Sequence, residues 1–290
     1  MKDIFVSTET GKLCSVVLGR AETLNLTENN LISFHLKESF EKADFPDKNK
    51  AIEEFSALEQ ILKERVVEVL RPDILNTPEQ LNTRDIGFTI GSTFFVSRMK
   101  VSTRQEEIVG IEKFIQEFSK VVRIPEGAIL EGGDIITDKG FVFGGVGSRT
   151  NEEGFKWLKN YLENNELGTD FKLIPIFIKN PVIGEVLHLD CAFMPVGENL
   201  ALIYRPAFAD GIPKEITDNY RLIEVTDEEQ RNLGTNVLNL DKHTVVCRPE
   251  SVRLNELLQK EGMNVIPLSF NENPKTGGSF RCATLPLIRR

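Results

Sequence analysis

The sequence predicts an α/β fold assembled from one repeated supersecondary unit, set radially or as a stack, and three observations carry the prediction. Acidic residues open four similar segments, at Asp85, Asp134, Asp190 and Asp241, spaced by 49, 56 and 51 residues. These segments share one pattern, a short apolar strand, a tight polar turn and a second strand, followed by a stretch of helical periodicity. A recurring period of this size marks arrays whose units bury their apolar faces against one another.

The elements follow in chain order. The opening "KLCSVVLGR" reads as a strand, "NKAIEEFSALEQILKER" as a helix and "VVEVL" as a strand, which together supply one further unit. The charged run "EKADFPDKNKAIEE" reads as a solvated turn entering that helix. Asp85 opens "DIGFTIGSTFFVSRM", ahead of the helix-like "RQEEIVGIEKFIQEFSKV", and Asp134 opens "DIITDKGFVFGGVGS", ahead of "NEEGFKWLKNYLENN". Asp190 opens "DCAFMPVGENLALIYRPAF". Asp241 opens "DKHTVVCRPESVRLNELLQKEG", and "NVIPLSF" returns as a strand. Each acid falls at a strand start, and a radial arrangement would bring several such ends to one centre. Acids at strand edges also cap and solvate turns, so the residues that accompany them decide whether that centre is a site.

Composition narrows the function classes. A chain of 290 residues buries a sizeable core and holds one large domain or two, at about 150 residues per domain. A net charge of -9 argues against an extended nucleic-acid or anionic-membrane surface, which needs clustered Lys and Arg, and suits a small cationic substrate. No apolar run approaches the roughly 20 residues of a membrane helix, and the N-terminus lacks a basic stretch followed by an apolar one. A cytoplasmic location is expected. Cys14, Cys191, Cys247 and Cys282 stand far apart with no CxxC pair, which signals neither a zinc site nor a disulfide framework.

The chemistry concentrates in a few strings. "NPKTGGSFRCATLPLIRR" sets Cys282 between a Gly-Gly turn and an apolar strand, and a catalytic cysteine needs positive charge or a base nearby to act as thiolate. "VLHLDCAF" supplies His188 and Asp190 at i and i+2, on the same face of an expected strand, with Cys191 pointing away. The other histidines, His35 and His243, read as packing or surface residues, leaving His188 as the general acid/base candidate. "ILEGGDIIT" places Glu131 before two glycines, where it could accept from His188, orient the ring and raise its basicity. "NTRDIGF" offers Asp85. Two carboxylates such as Asp85 and Asp190 would grip a planar guanidinium while Cys282 approaches its carbon.

Four strings in this order, "TRD" at 83–85, "LEGGD" at 130–134, "HLD" at 188–190 and "GGSFRCATLPLIRR" at 277–290, make the chain resemble the guanidino-group-modifying enzymes of the pentein superfamily. The resemblance spans essentially the whole chain. It implies a five-bladed α/β propeller with pseudo-fivefold symmetry, built from ββαβ-type repeats as a single catalytic domain over 1–290. It implies Cys282 as nucleophile, His188 as general acid/base, Glu131 as its orienting partner, and Asp85 and Asp190 on the guanidinium. Arg104 and Arg149 stand at the motif positions of the arginines that hold a substrate α-carboxylate. No cofactor or metal is implied, and a homo-oligomer stays open. In the family the segment near "EKADFPDKNKAIEE" can form a mobile lid.

Within the superfamily the signals diverge. "HLD" looks like arginine deiminases and glycine amidinotransferases and disfavours a dimethylated substrate. The compact length is similar to methylarginine hydrolases, and the long helical insertion of bacterial arginine deiminases is absent between residues 72 and 82. Asn82 replaces the Phe that would stack on a guanidinium in "FTRD". The expectation is hydrolysis of arginine or a close derivative through a Cys282 amidino-thioether, with amidino transfer to an amine or dimethylarginine hydrolysis as alternatives. Three other readings fare worse. A non-catalytic binding propeller leaves Cys282, His188 and the acids unexplained, a metal hydrolase lacks a second His at ligand spacing, and "GGVGSRT" lacks the full dinucleotide fingerprint.

Overall fold

Strand formation follows the apolar runs, and each run closes against its neighbour in the same way. The computed structural model describes residues 2–181 and 184–290. Its strands are β1 (Leu13–Leu18), β2 (Glu68–Leu70), β3 (Gly87–Ile90), β4 (Thr93–Val96), β5 (Val121–Arg123), β6 (Ile135–Asp138), β7 (Phe141–Val146) and β8 (Lys172–Phe177). The remainder are β9 (Phe193–Val196), β10 (Leu200–Ile203), β11 (Arg221–Glu224), β12 (Leu238–Asp241), β13 (Thr244–Cys247), β14 (Asn264–Pro267) and β15 (Thr284–Arg289). They form five three-stranded sheets, β3-β4-β5, β6-β7-β8, β9-β10-β11, β12-β13-β14 and β15-β1-β2. In every sheet the first strand pairs antiparallel with the middle one, and the middle strand pairs parallel with the last. The parallel pairing requires a crossover, and the helical segments provide it. This is the five-bladed α/β propeller that the family resemblance implied.

Tight hairpins join the first two strands. Asp138 pairs with Phe141 across Lys139 (φ 52°) and Gly140 (φ 74°), both left-handed as a two-residue turn matched to strand twist requires. The blade β15-β1-β2 takes its first strand from the C-terminus, with Leu18 opposite Thr284 and Leu13 opposite Arg289. The chain ends are thereby locked together, and the strand that follows Cys282 is fixed against the other end of the molecule.

The helices are α1 (Phe34–Glu41), α2 (Lys48–Glu64), α3 (Glu112–Ile115), α4 (Glu152–Glu163), α5 (Leu167–Asp170), α6 (Lys214–Thr217), α7 (Asp227–Arg231) and α8 (Val252–Lys260). Helical spacing of apolar side chains decides which face is buried. Leu158 and Leu162 of α4 enter one core with Leu130 and Val142, and Phe55, Leu58 and Leu62 of α2 enter another with Phe270 and Phe280. Asn151 caps α4 by accepting from the Gly154 N–H at 2.8 Å. The ring of Phe270 lies 5.0 Å from Phe55 and 4.6 Å from Phe280, so an aromatic stack supports the turn that carries Cys282.

Three local expectations change. The helix-like stretch after Arg104 breaks into 3-10 turns at Ser102–Arg104 and Glu107–Ile111 before the short α3. Arg104 and Glu107 are drawn inward there, and Gly110 packs where a Cβ would lie 2.8 Å from the Gln80 amide. His188 and Asp190 do not share a strand: His188 is extended (φ -134°) and caps the 3-10 turn Leu189–Cys191. Asp241 does not open its unit, because it stands at the far end of β12. The residue at the head of that strand is Asn236.

Candidate active site

Short turns ahead of the first strand of each blade deliver side chains to the propeller centre. Asp85 belongs to the turn Thr83–Ile86, Asp134 to Gly132–Asp134 and Asp190 to Leu189–Cys191, while Asn236 precedes β12 and Cys282 precedes β15. Backbone bonds of the same i to i−3 kind close the turns at Asp85, Asp134 and Asn236, onto the carbonyls of Asn82, Glu131 and Leu233. Glycine is needed where the turns touch. A Cβ on Gly133 would lie 2.7 Å from the His188 ring and 2.8 Å from Asp85 Oδ1.

Asn82, Asp85, Arg104, Arg149, His188 and Cys282 line one cavity with Glu79 and with the Ile32–Ser33 segment. Its volume of about 20 Å³ is room for about one water. Ile32 and Ser33 are held against it: the Ile32 carbonyl accepts from Arg149 Nη2 at 3.1 Å, and Ser33 Oγ donates to the Thr276 carbonyl at 2.9 Å.

His188 and Glu131 form the best-defined pair. His188 Nε2 lies 2.7 Å from Glu131 Oε2, and Glu131 Oε1 accepts the Lys100 backbone N–H at 2.8 Å, so both carboxylate oxygens are fixed. His188 Nδ1 lies 3.6 Å from Asp85 Oδ1. Burial would favour a neutral ring, but Asp85, Asp134 and the Glu131 hydrogen bond outweigh it and raise the His188 pKa. Burial likewise works against ionised Glu131, and the bond from His188 overcomes it, so the carboxyl is held well below its usual range. Both shifts favour the imidazolium-carboxylate form of the pair.

Cys282 is 3% exposed, and its Sγ lies 3.6 Å from Asp190 Oδ2. Burial, with Asp190 and Asp85 as further causes, pushes its thiol well above the ordinary value. Asn236 Nδ2 donates to Sγ at 3.0 Å, and Asn236 Oδ1 accepts the Cys282 backbone N–H at 3.1 Å.

The arginines do not all stand where sequence reasoning put them. Arg104 is spent on the protein. It donates to Glu107 through Nε (2.7 Å) and Nη2 (3.0 Å), to Asp85 Oδ2 through Nη1 (2.8 Å), and to the Asn82 carbonyl at 3.0 Å. Burial opposes its charge, yet Glu107 and Asp85 hold it cationic. Arg149 differs, because its buried Nη1 has no hydrogen-bond partner among the described residues. Asp190 is not on the cavity wall: it accepts from Arg281 Nη1 at 2.9 Å, and Arg281 also donates to both oxygens of Glu9 at 3.1 Å. The expected two-carboxylate grip is therefore not assembled in this state. On the cavity wall, the buried carboxylate atoms without a hydrogen bond among the described residues are Asp85 Oδ1 and Glu79 Oε2.

Sequence reasoning missed Glu79, Glu9 and Asn236. Only Asn236 carried a readable signal, since it follows Asp190 by 46 residues and precedes Cys282 by 46. Asn82, flagged for replacing an aromatic ring, accepts from Asn273 Nδ2 at 3.0 Å and ties its turn to the segment before Cys282. Cys191 stays off the cavity wall. Among the described residues, Asp85, Glu131 and His188 are the one trio whose ligand atoms, within 4.8 Å of one another, could hold a metal.

Comparison with known proteins agrees with this fold. The solved structure of SxtG, an amidinotransferase from Microseira wollei, superposes with a TM-score of 0.83 at 20% identity, covering 99% of this chain and 97% of that one. The N-terminal domain of ArgZ, a cyanobacterial arginine dihydrolase, gives 0.82 at 21% identity over 96% and 98%. The uncharacterized protein YkgA of Bacillus subtilis (strain 168) is 36% identical over 97% of this chain and 94% of its own. The N(G),N(G)-dimethylarginine dimethylaminohydrolase of Pseudomonas aeruginosa is 25% identical over 83% and 89%. A family model described as N,N dimethylarginine dimethylhydrolase, eukaryotic, matches residues 21–289. The chain belongs to that family, within the pentein superfamily of hydrolases and amidinotransferases that act on guanidino C–N bonds.

Proposed function

We propose that this enzyme hydrolyses the guanidino group of arginine or a close arginine derivative through a covalent amidino-thioether on Cys282, releasing a citrulline-type product and ammonia. The observation that carries the reading is the set of buried atoms left unpaired around one cavity: Asp85 Oδ1, Glu79 Oε2 and Arg149 Nη1. An unsatisfied buried polar group costs about 1–3 kcal/mol. Arginine brings a guanidinium for Asp85, an ammonium for Glu79 and a carboxylate for Arg149, and satisfies all three.

The chemistry follows from the charges. The resting thiol is held protonated by burial and by Asp190 and Asp85. A bound guanidinium offsets those carboxylates, the thiol proton leaves to solvent, and the thiolate adds to the guanidinium carbon. Protonated His188 gives its proton to the departing nitrogen, the C–N bond breaks, ammonia leaves and a cationic S-alkyl thiouronium remains on Cys282. Neutral His188 then takes a proton from water as the water oxygen bonds to that carbon. The C–S bond breaks to return the thiolate, and the second proton of water passes from the product oxygen to solvent, where it balances the ammonia already released as ammonium. Glu131 keeps the ring oriented throughout.

The family model favours methylated arginine as the competing substrate. One experiment separates the outcomes: incubation with arginine, agmatine, and mono- and dimethylarginine, with and without glycine, following ammonia, citrulline, ornithine and methylamines. Citrulline and ammonia from arginine support the proposal, methylamines from methylated substrates shift it to the alternative, and ornithine formed only with glycine replaces hydrolysis by transfer.

A further inference from the structure

We propose that Asn236 is a catalytic residue: its side-chain amide donates to Cys282 Sγ, stabilising the thiolate both as it attacks and as it is expelled. The inference rests on the reading of Cys282 as nucleophile, and it starts from the orientation of the amide. Oδ1 accepts two backbone N–H groups, those of Ser279 at 3.2 Å and Cys282 at 3.1 Å. Because those partners can only donate, the atom facing them is the oxygen, and the other arm must be the NH2. That arm reaches Sγ at 3.0 Å, and a primary amide nitrogen only donates.

The surroundings give this bond its weight. The other charged groups that bear on Sγ are Asp190, at 3.6 Å, and Asp85, and both disfavour a thiolate. Asn236 is 1% exposed, so water does not replace it. Its mounting is stiff: the adjacent Thr235 Oγ1 donates to the Asp190 carbonyl at 2.9 Å, and the Asn236 N–H closes its turn on the Leu233 carbonyl at 2.9 Å. One side chain thus sets the position of the Ser279–Cys282 turn through its oxygen and, beside the Ser279 backbone, favours the thiolate through its nitrogen. A carboxylate at this place, as at Asp85, Asp134 and Asp190, would accept the same two N–H groups but would repel the thiolate. The site needs an amide there.

The test pairs Asn236→Asp, which keeps both acceptor bonds but replaces the donor by a charge, with Asn236→Ala, which removes the donor without adding charge, and the shift must appear in both. Thiolate formation is read by far-ultraviolet absorbance against pH, as the difference between each variant and its Cys282→Ser partner, which needs no substrate. Loss of one hydrogen bond to a charged sulfur shifts the midpoint upward by about 1–2 pH units. The kcat falls by about 10–100-fold by the same arithmetic, with a smaller change in KM. An unmoved thiolate midpoint in a folded variant overturns the proposal and leaves Asn236 a purely structural clamp. If the midpoint shifts but Cys282→Ser still turns over substrate, the contact stands, the nucleophile assignment fails, and Asn236 is not catalytic.

Discussion

Glu131→Gln separates orientation from chemistry in the His188 pair. The Lys100 backbone N–H, 2.8 Å from Oε1, holds the new amide with its oxygen toward Lys100, so its NH2 faces His188 Nε2, which lies 2.7 Å from Oε2 in the wild type. A donor then meets the imidazole nitrogen where an anionic acceptor stood, which favours the neutral ring. A hydrogen bond to a charged group contributes about 1.5–3 kcal/mol, so the His188 pKa drops by about 1–2 units, while Asp85 and Asp134 still hold it up. Proton donation to the leaving nitrogen needs the charged ring, and activity is lost as pH rises through the folded pKa. The alkaline limb of the kcat profile therefore moves down by about 1–2 pH units. The same pair bears on stability: a raised His188 pKa contributes stability that is full below the unfolded value of about 6.5 and lost as pH rises through the folded one. The assay is kcat against pH beside thermal unfolding. An alkaline limb that stays in place while kcat falls would refute the reasoning and make Glu131 a structural acid.

Cys282→Ser abolishes turnover while the thermal midpoint holds, and a retained rate would remove the nucleophile. Arg149→Ala raises KM for arginine far more than for agmatine, which lacks the carboxylate that Nη1 is expected to meet; equal losses would place the carboxylate elsewhere. Gly133→Ala sets a methyl 2.7 Å from the His188 ring and 2.8 Å from Asp85 Oδ1, so kcat drops by more than a small loss of stability explains, measured by kinetics beside thermal melting. Glu9→Gln removes the carboxylate whose pKa, raised by burial, is pulled down to about 2 by Arg281 and Arg84. It costs about 3–5 kcal/mol, the cost of breaking a buried pair, in denaturant unfolding near neutral pH. The contribution of Glu9 is present above the unfolded carboxylate value and lost as pH falls through about 2, so the gap to wild type closes only in strong acid.

The blades were legible because strand and helix periodicities are local, and because the turn ahead of each first strand repeats a short polar residue. The fourth unit was misplaced for a physical reason. A search for acids settles on Asp241, which caps the far end of β12 and accepts the His243 N–H at 2.8 Å, whereas the residue at the head of that strand is an amide. The stretch after Arg104 misled for the opposite reason. Its apolar spacing suits a helix, but Arg104 and Glu107 are buried polar side chains whose bonds to Asp85, Asn82 and each other take the place of the i to i−4 ladder. Sequence showed that Asp85 and Asp190 could hold a guanidinium. It could not show that the protein's own arginines hold them, since the Arg281 contacts with Asp190 and Glu9 join residues 91 and 272 positions apart.

Those internal guanidinium groups bear on how the site accepts its substrate. Arg281 is fully buried and bound to Glu9, Asp190 and the Ile135 carbonyl, which makes it part of the scaffold. Arg104 is equally committed to Glu107 and takes only one oxygen of Asp85. Asp85 Oδ1, facing His188 Nδ1 at 3.6 Å, is what remains for an incoming cation. On the proposed function, a guanidinium seated there would lie against a protonated His188, and the repulsion between the two cations would be relieved when His188 gives its proton to the departing nitrogen. Substrate binding would then be coupled to the proton transfer that follows it. Glu131, on the far side of the ring, joins Asp85 and Asp134 in favouring the charged imidazole against that repulsion.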